Sequence, residues 1–434
     1  MQLSHYLKIY PYEEKPGHLL FFSTRKGSIT LLKKEDFESV KKGTISKQDS
    51  DTLSTLGILV EDREAEKASM AAVLDRISVK NPGLNVTIVL NLDCNFACVY
   101  CYEGEMKGRI YMSDETAERL IGFIKEKFTD NKKFINIDFY GGEPLLSLNL
   151  VRKISSEMKS FTASRGASYT FTLITNGSLF KRQIAEELAG LGLQNIKTTI
   201  DGPSEIHNRC RPFKAGGGSF DAIIRNIKET CDITKIGIGG NYQRDNYKSF
   251  PGLLDCLENE GLTPDKIYKI KFDPVFNRLS GDASRLDYVD GSMSINEPWL
   301  IKAGSFLREE ILRRGYNTPK ITPTPCQVEL SDYFVVNFGG SIYKCPAFLG
   351  RKGFEIGNLE TGIRDYSGLY RLGVWKNDEC LDCEYLPLCF GGCRYMAYLR
   401  DGNFDTIDCK KPYLDASLET LVKQDIKYRG PFKG

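Results

Sequence analysis

The segment NVTIVLNLDCNFACVYC runs from Asn85 to Cys101 and joins an apolar run of strand length to three cysteines spaced C-x3-C-x2-C. The run is rich in valine and isoleucine, which favour strands. Three thiols are one fewer than a closed zinc site needs and one more than a disulfide uses. The segment therefore predicts a strand that is followed by a metal site with one open position.

Five further apolar runs of strand length follow this one and alternate with amphipathic stretches. The runs are INIDFY, YTFTLITN, IKTTI, KIGIGGNY and KIKFDPVF, and the stretches between them include DETAERLIGFIKEKF and FDAIIRNIKETC. Such alternation predicts a parallel sheet covered by helices. Six units are too few for a closed eight-stranded barrel, so we predict an α/β fold built on an open, partial (β/α)6 TIM-like barrel. Its site should lie at the carboxyl ends of the strands.

The length of 434 residues exceeds what one hydrophobic core usually serves, so we predict several domains. The segment before the barrel has the pattern of a small winged-helix-like α+β unit. After about residue 320 Cys, Gly and Pro become frequent, which suits a domain held together by metal. The predicted division is an N-terminal domain (1–65), a charged linker (66–84), the partial barrel (85–290), a bridging helix (291–319) and a cysteine-rich domain (320–434).

Composition narrows the location and the partners. The net charge is only +2, with 59 Lys+Arg against 57 Asp+Glu, which argues against nucleic-acid binding. The N-terminus lacks the apolar core of a signal peptide, and no apolar run is long enough to span a bilayer. We therefore predict a cytoplasmic protein without a membrane partner. In a reducing compartment the 13 cysteines favour ligation or catalysis over disulfides, and the three histidines leave metal binding to thiolates.

The cysteine loop resembles that of the radical S-adenosylmethionine (radical SAM) enzymes, in which an aromatic residue precedes the third cysteine, as Tyr100 does here. Segments at the ends of the later strands resemble the cofactor-binding segments of the same family. They supply Gly141, Gly142, Glu143 and Pro144 for the methionine amino group, Thr175 and Asn176 for the ribose, Thr199 for the ribose or carboxylate, Arg211 for the carboxylate, and Asn241 as a further contact.

The resemblance implies that Cys94, Cys98 and Cys101 hold three irons of a [4Fe–4S] cluster and that S-adenosylmethionine binds the fourth. Reduction of this pair gives a 5′-deoxyadenosyl radical that abstracts hydrogen from an unactivated carbon. Glu143 would complement the ammonium group, and Arg211 would pair with the carboxylate. The alternative, a zinc site or buried structural cysteines, is opposed by the segments at the later strand ends.

The C-terminal cysteines resemble the SPASM extension of radical enzymes that modify peptides, which houses two auxiliary clusters. The resemblance implies one cluster on Cys380, Cys383, Cys389 and Cys409, a second on Cys326, Cys345 and Cys393, and thus three [4Fe–4S] clusters in all. Full sites in the family have an additional cysteine between the first two. The segment QVELSDYFVVNFGGSIYK has none, so we predict an open iron for a substrate thiolate, with water, a buffer anion or a displaced residue as alternatives.

A second departure concerns the anaerobic sulfatase maturases. Those enzymes have an aspartate base immediately after the cysteine that matches Cys345, where this chain has Pro346. This difference counts against sulfatase maturation. The N-terminal unit resembles the recognition element that binds leader peptides through an exposed strand edge, with a generic winged-helix cap or an oligomerisation module as the alternative.

Together these resemblances imply a maturase of ribosomally made peptides, similar to the geopeptide, sactipeptide or ranthipeptide types, that forms a thioether. Its partners would be a precursor peptide with a leader and a reductant such as flavodoxin or ferredoxin. Two alternatives remain open. One is another radical modification, such as a C–C or C–O crosslink or epimerisation with Cys210 as hydrogen donor. The other is a non-catalytic Fe–S or zinc binding protein.

Overall fold

The computed structural model describes residues 1–104, 106–276 and 292–430. Its strands are β1 (Gln2–Leu3), β2 (Leu7–Pro11), β3 (His18–Ser23), β4 (Ile29–Lys33), β5 (Leu59–Val60), β6 (Gly83–Val89), β7 (Phe134–Tyr140), β8 (Ser168–Thr175), β9 (Leu193–Thr199), β10 (Lys235–Tyr242), β11 (Ile267–Pro274), β12 (Tyr333–Val336), β13 (Ser341–Tyr343), β14 (Gly357–Asn358) and β15 (Gly362–Ile363).

The helices are α1 (Lys34–Lys42), α2 (Lys47–Thr55), α3 (Arg63–Ala71), α4 (Val73–Lys80), α5 (Asp114–Lys127), α6 (Leu148–Ser164), α7 (Arg182–Gly190), α8 (Ser204–Cys210), α9 (Phe220–Thr230), α10 (Pro251–Asn259), α11 (Pro298–Arg313), α12 (Asp378–Leu381), α13 (Leu386–Cys389), α14 (Arg394–Asp401) and α15 (Lys411–Arg429). None of these helices of the described chain is both long and apolar enough to cross a membrane.

One large sheet organises the chain, with strand order β11-β10-β9-β8-β7-β6-β12-β13-β14-β15. Strands β6 to β11 pair in parallel with their neighbours in sequence, which confirms the α/β fold and the open barrel of six strand–helix units. Strand β12 pairs in parallel with β6. The cysteine-rich part therefore extends the barrel sheet by a strand, which the loss of regular rhythm after residue 320 did not predict.

The barrel strands form because their side chains either are buried on both faces of the sheet or alternate strictly between buried and half-buried positions. In β7, Ile135, Ile137 and Phe139 are completely buried while the residues between them are half-buried, as expected for a pleated strand. Helix α5 begins after Ser113, whose hydroxyl accepts from the Thr116 amide. One apolar core runs from the barrel into the first part of the cysteine-rich region, and it keeps the carboxyl ends of the strands in register.

The N-terminal segment has the predicted α+β character, with β2, β3 and β4 forming an antiparallel sheet. One face of this sheet packs on α1 and α2, where Phe21 meets Phe37 edge-on with ring centroids 5.0 Å apart. The other face packs on the C-terminal helix α15 through Leu20, Phe22 and Leu418. The N-terminal sheet thus lies against the cysteine-rich region.

The stretch 66–84, predicted as a linker, contains most of α3 and all of α4. Glu66 is buried there and accepts from Ser4 Oγ at 2.8 Å and from Arg25 Nη1 at 3.1 Å. This stretch is therefore folded against the N-terminal sheet. The predicted division into domains remains a prediction, and its boundary between 290 and 291 lies outside the described residues.

Candidate active site

The three cysteines of the opening segment lie on a loop at the carboxyl end of β6. Cys94 is buried, whereas Cys98 and Cys101 are half-buried. The loop is fixed by backbone hydrogen bonds to the end of α8 and the segment after it, since Ala97 N donates to Pro212 O at 2.9 Å and Val99 N to Cys210 O at 3.0 Å. These bonds hold the thiols at the rim of the barrel, where parallel strands place their sites.

Two cations face these thiols. Burial raises the pKa of the Cys98 thiol, and Arg211 and Lys107 oppose that rise. Although burial lowers it, the three nearby thiols leave the pKa of Lys107 above its ordinary value. Lys107 lies six residues beyond Cys101 and was not predicted. The cations would stabilise an anionic cluster held by the three thiolates, so the donor set fits a [4Fe–4S] cluster with one open iron.

Tyr100 lies in a buried polar network. Its hydroxyl donates to Asp201 Oδ2 and accepts from Arg211 Nη1 at 2.7 Å and from Asn241 Nδ2 at 3.0 Å. The backbone N–H of Asn241 in turn donates to Asp201 Oδ1 at 2.7 Å. Burial raises the pKa of Asp201, and Arg211 opposes this. Residues from the cysteine loop, β10 and the segments after β9 and α8 are therefore joined into one unit.

Glu143 is completely buried and forms the centre of a second network. Its Oε1 accepts from Thr175 Oγ1 at 2.8 Å and from the Leu145 amide at 3.0 Å, and its Oε2 accepts from the Asn176 amide at 2.8 Å. Pro144 starts the short 3₁₀ turn that presents the Leu145 amide. The carboxylate thus ties the end of β7 to the end of β8, and its predicted contact with an ammonium group remains a prediction.

The two glycines before Glu143 lie directly against the backbone of another segment. A Cβ on Gly142 would lie 2.2 Å from Asp93 O, and one on Gly141 would lie 2.5 Å from Asn91 O. The Gly142 and Glu143 amides donate to those same carbonyls at 3.0 and 2.8 Å. The sequence-based explanation, that glycines let the backbone approach a ligand, is therefore incomplete, because the close approach in this structure is to the loop that carries Cys94.

The remaining predicted cofactor contacts lie on the same rim. Asn176 Nδ2 donates to Asn95 Oδ1 at 2.7 Å and lies 3.9 Å from Cys94 Sγ. Thr199 ends β9 and is half-buried. Arg211 is nearly buried, and within the described chain its Nε has no hydrogen-bond acceptor. This buried donor suits an anionic ligand such as a carboxylate, so the residues present fit the predicted cofactor.

Seven cysteines lie in the C-terminal region, and the electrostatic influence of some of them on one another shows that they are neighbours in space. Burial raises the pKa of the Cys345 thiol, and Cys326 and Cys393 act in the same direction. We call these three residues the auxiliary triad. Burial likewise raises the pKa of the Cys380 thiol to about 11, with further contributions from its three neighbouring thiols. The auxiliary quartet consists of Cys380, Cys383, Cys389 and Cys409, and all four line a cavity of about 830 Å³.

Helix α3 covers part of this cavity, because Glu64, Lys67, Ala68 and Ala71 line it together with the quartet. Lys67 Nζ forms an ion pair with Asp382 Oδ1 at 2.5 Å. In the described parts of the chain no three His, Cys, Asp or Glu side chains are arranged around a single metal ion. The ligand assignments for both groups remain predictions.

Several further residues lie near the rim, and of these only Cys210 was named from the sequence. His207 is buried between the Asp201 amide, which donates to its Nδ1 at 3.1 Å, and Ser219 Oγ at 3.0 Å. Burial lowers the pKa of His207 to about 3, so it is a neutral structural residue. Cys210 is also buried. Burial raises the pKa of Glu103, beside the cysteine loop, to about 7. Asp201 could have been found as a carboxylate directly after a predicted strand.

An open α/β barrel with a three-thiol loop at its carboxyl rim defines the class of the protein, and comparisons with known proteins agree. Residues 88–241 match the model of the Radical SAM superfamily. The chain is 24% identical over 384 residues to a cysteine-type anaerobic sulfatase-maturating enzyme of Clostridium novyi, covering 78% of this chain and 96% of that protein.

Two solved structures share the fold. Native anSMEcpe with bound AdoMet and Kp18Cys peptide has a TM-score of 0.63 at 18% identity, covering 79% of this chain and 99% of that one. Streptococcus suis SuiB bound to precursor peptide SuiA has a TM-score of 0.54 at 16% identity, covering 94% of this chain and 98% of that one. The chain therefore contains a radical SAM domain, and that superfamily implies S-adenosylmethionine and a [4Fe–4S] cluster.

Proposed function

We propose that this protein is a radical SAM peptide maturase that joins a cysteine sulfur of a ribosomally made precursor peptide to a carbon of another residue as a thioether. The observation that carries the proposal is the grouping of the thiols. The auxiliary quartet can close a cluster, whereas the auxiliary triad has no fourth cysteine among the described residues. An incomplete ligand set leaves one iron for an exogenous ligand, as at the rim.

The proposed ligand sets give three [4Fe–4S] clusters: one on Cys94, Cys98 and Cys101, one on the auxiliary triad and one on the auxiliary quartet. With S-adenosylmethionine bound, the rim cluster would supply a 5′-deoxyadenosyl radical for hydrogen abstraction from the peptide. The chain's own contribution is orientation. Arg211 has an unused buried Nε for the cofactor carboxylate, and the Tyr100–Asp201–Asn241 network fixes the position of its guanidinium group.

The open position of the auxiliary triad is proposed to bind the substrate cysteine. A soft thiolate is the peptide ligand that iron in such a cluster accepts best. Pro346 begins a short 3₁₀ turn directly after Cys345 and offers no acidic or basic side chain. The lack of an acidic or basic side chain at this position supports C–S bond formation rather than sulfatase maturation, for which the Clostridium novyi relative is named. A C–C or C–O crosslink and epimerisation remain alternatives, and burial of Cys210 disfavours it as a hydrogen donor.

The N-terminal sheet is proposed to bind the leader of the precursor. Strand β4 lies at the edge of that sheet and pairs only with β3 among the described strands. Its residues Ile29 to Leu32 are half-buried and mainly apolar, so the edge offers both backbone groups and apolar surface to an added strand. Both solved structures named above hold a bound peptide, which supports a peptide substrate here. A flavodoxin or ferredoxin is the proposed reductant.

The first test is anaerobic reconstitution followed by iron and sulfide counting on the wild type and on a C94A/C98A/C101A variant. We expect about twelve irons per chain in the wild type and about eight in the variant. We also expect reductive cleavage of S-adenosylmethionine by the wild type alone. Zinc in place of iron at the C-terminal thiols would exclude the thiolate role of the auxiliary triad.

The second test is co-expression with cysteine-containing peptides encoded beside the gene, followed by mass spectrometry. Thioether formation predicts the loss of two hydrogen atoms and of one alkylatable thiol. Loss of two hydrogen atoms with every thiol still alkylatable would instead indicate a C–C or C–O crosslink. Unchanged mass with deuterium incorporation from solvent would indicate epimerisation. An L31P variant, at a position whose amide faces outward from the β3–β4 ladder, should lose leader binding while retaining S-adenosylmethionine cleavage.

A further inference from the structure

Arg394 is a completely buried arginine that begins helix α14 directly after Cys393. Its Nη2 donates to Glu329 Oε1 at 2.6 Å. Glu329 closes the short 3₁₀ turn that starts after Cys326. The ion pair therefore joins the chain beside one cysteine of the auxiliary triad to the chain beside another.

The same guanidinium group lies beside Gly391, which lines the cavity that the auxiliary quartet borders. A Cβ on Gly391 would lie 3.4 Å from Arg394 Nη1 and 3.0 Å from Trp375 Cβ. Arg394 is therefore packed against the backbone at the border of the quartet, while its ion pair joins the chain beside two cysteines of the triad.

This guanidinium group is incompletely satisfied. Within the described residues neither Nε nor Nη1 of Arg394 has a hydrogen-bond acceptor, and the same holds for Trp375 Nε1. Glu329 also accepts from the Gly373 amide at 3.0 Å, and its contact with Arg394 is through Nη2. Folded proteins rarely leave buried charged donors unpaired, and exceptions point to a redox role or to an acceptor outside the polypeptide.

We propose that sulfur atoms of the auxiliary clusters are the missing acceptors and that Arg394 thereby raises the reduction potential of those clusters. The inference rests on the proposed function, since it requires a cluster at each thiol group. An iron–sulfur cluster with thiolate ligands carries net negative charge, and its potential depends on hydrogen bonds to sulfur and on nearby charge. Arg394 touches no substrate and is a positioning and electrostatic residue, with Glu329 holding its orientation.

The test uses the C94A/C98A/C101A protein, in which only the auxiliary clusters remain. R394Q removes the charge, R394K keeps the charge without the planar group of donors, and R364Q removes an exposed positive charge from the same region as a control. Iron content, EPR-monitored redox titration and the unfolding temperature of the apoprotein are measured for each. For R394Q we expect full iron content. At the midpoint potential of the parent protein, the ratio of reduced to oxidised cluster should be about tenfold lower. This ratio corresponds to a fall in reduction potential of about 59 mV for a one-electron couple.

R394K should fall between the parent and R394Q, and R364Q should match the parent. Full iron content with an unchanged potential in R394Q would overturn the inference and leave a buried water as the acceptor. If R394Q and R394K both lose iron while the apoprotein unfolds at an unchanged temperature, the contact with the clusters is supported. Iron loss together with apoprotein unfolding would show a structural role and overturn it. Absence of iron from the C-terminal thiols of the wild type would instead overturn the proposed clusters themselves.

Discussion

The two cysteine-rich regions of this protein are built in different ways. The rim loop collects Cys94, Cys98 and Cys101 within eight consecutive residues at the end of one strand. The auxiliary triad and quartet instead draw seven thiols from separate segments between residues 326 and 409. The rim loop is anchored by backbone hydrogen bonds and by glycines that let β7 approach it. The quartet borders a cavity that α3 helps to close.

The difference shows what holds each region in place. The barrel below the rim is filled by one large apolar core, so the loop is positioned whether or not its thiols hold a ligand. Around the quartet the apolar packing is divided into smaller clusters that include Cys380 itself. Small regions of this kind normally depend on metal for much of their stability.

Removal of the proposed clusters by chelation should have the largest effect and tests this contrast directly. We expect amide hydrogen exchange in residues 378–409 to accelerate by roughly ten-thousandfold or more, because bound metal contributes much of the local stability there. Exchange in β6 to β9 should change little. Equal acceleration in both regions would show that the barrel also depends on metal.

The Glu143 network should give the next largest effect. Glu143→Ala leaves three buried donors without an acceptor, so the free energy of unfolding should fall by about 3–5 kcal/mol in urea titrations. Glu187→Ala removes an exposed carboxylate paired with Arg152 and should change stability by about 0.5 kcal/mol or less. Similar losses in both variants would mean that the rim carboxylate does not support the barrel.

The close approach of β7 to the cysteine loop predicts a somewhat smaller loss. Gly142→Ala forces a methyl group against Asp93 O and should cost about 2 kcal/mol and displace the loop that holds Cys94. Gly122→Ala is the matched control, since Gly122 lies in α5 with nothing within 4 Å of the added methyl group. It should stabilise the protein by about 0.5–1 kcal/mol. Loss of iron in the first variant but not the second would link the glycine to the cluster site.

The smallest predicted effect concerns pH. The pKa of His207 is about 3 in the folded protein, against 6.5 as its ordinary value. Between these values the unfolded chain binds the additional proton, so His207 lowers stability as the pH falls from 6.5 toward 3, by up to about 1.4 kcal/mol per pH unit. His207→Asn should therefore show a shallower decline between pH 7 and 5 in unfolding titrations. An unchanged slope would mean that His207 is protonated in the folded state.

Much of the fold could be predicted because it is encoded locally. The six barrel strands and their helices follow from apolar residues that recur at the spacing of a strand or of a helix. The rim loop follows from three cysteines that are neighbours in sequence. The segments of Glu143, Thr175 and Arg211 were found as short motifs that resemble those of a known family. Such features do not depend on distant parts of the chain.

The roles inside those motifs depended on tertiary structure. Only the fold shows that both oxygens of Glu143 are taken by the ends of β7 and β8, that Asp201 connects Tyr100 to Asn241, and that β12 joins the barrel sheet beside β6. Hydrogen bonds between residues far apart in sequence leave no periodic signal. Lys107 and Arg394 were missed for the same reason, since an isolated cation in sequence is usually a solvated surface residue.

The sequence by itself thus determined the barrel and its cysteine loop, because adjacency and spacing are written along the chain. The tertiary structure alone decided which charges face those thiols and how the N-terminal sheet packs on α15. Burial and charge pairing act through space, so they become defined only when separate segments meet.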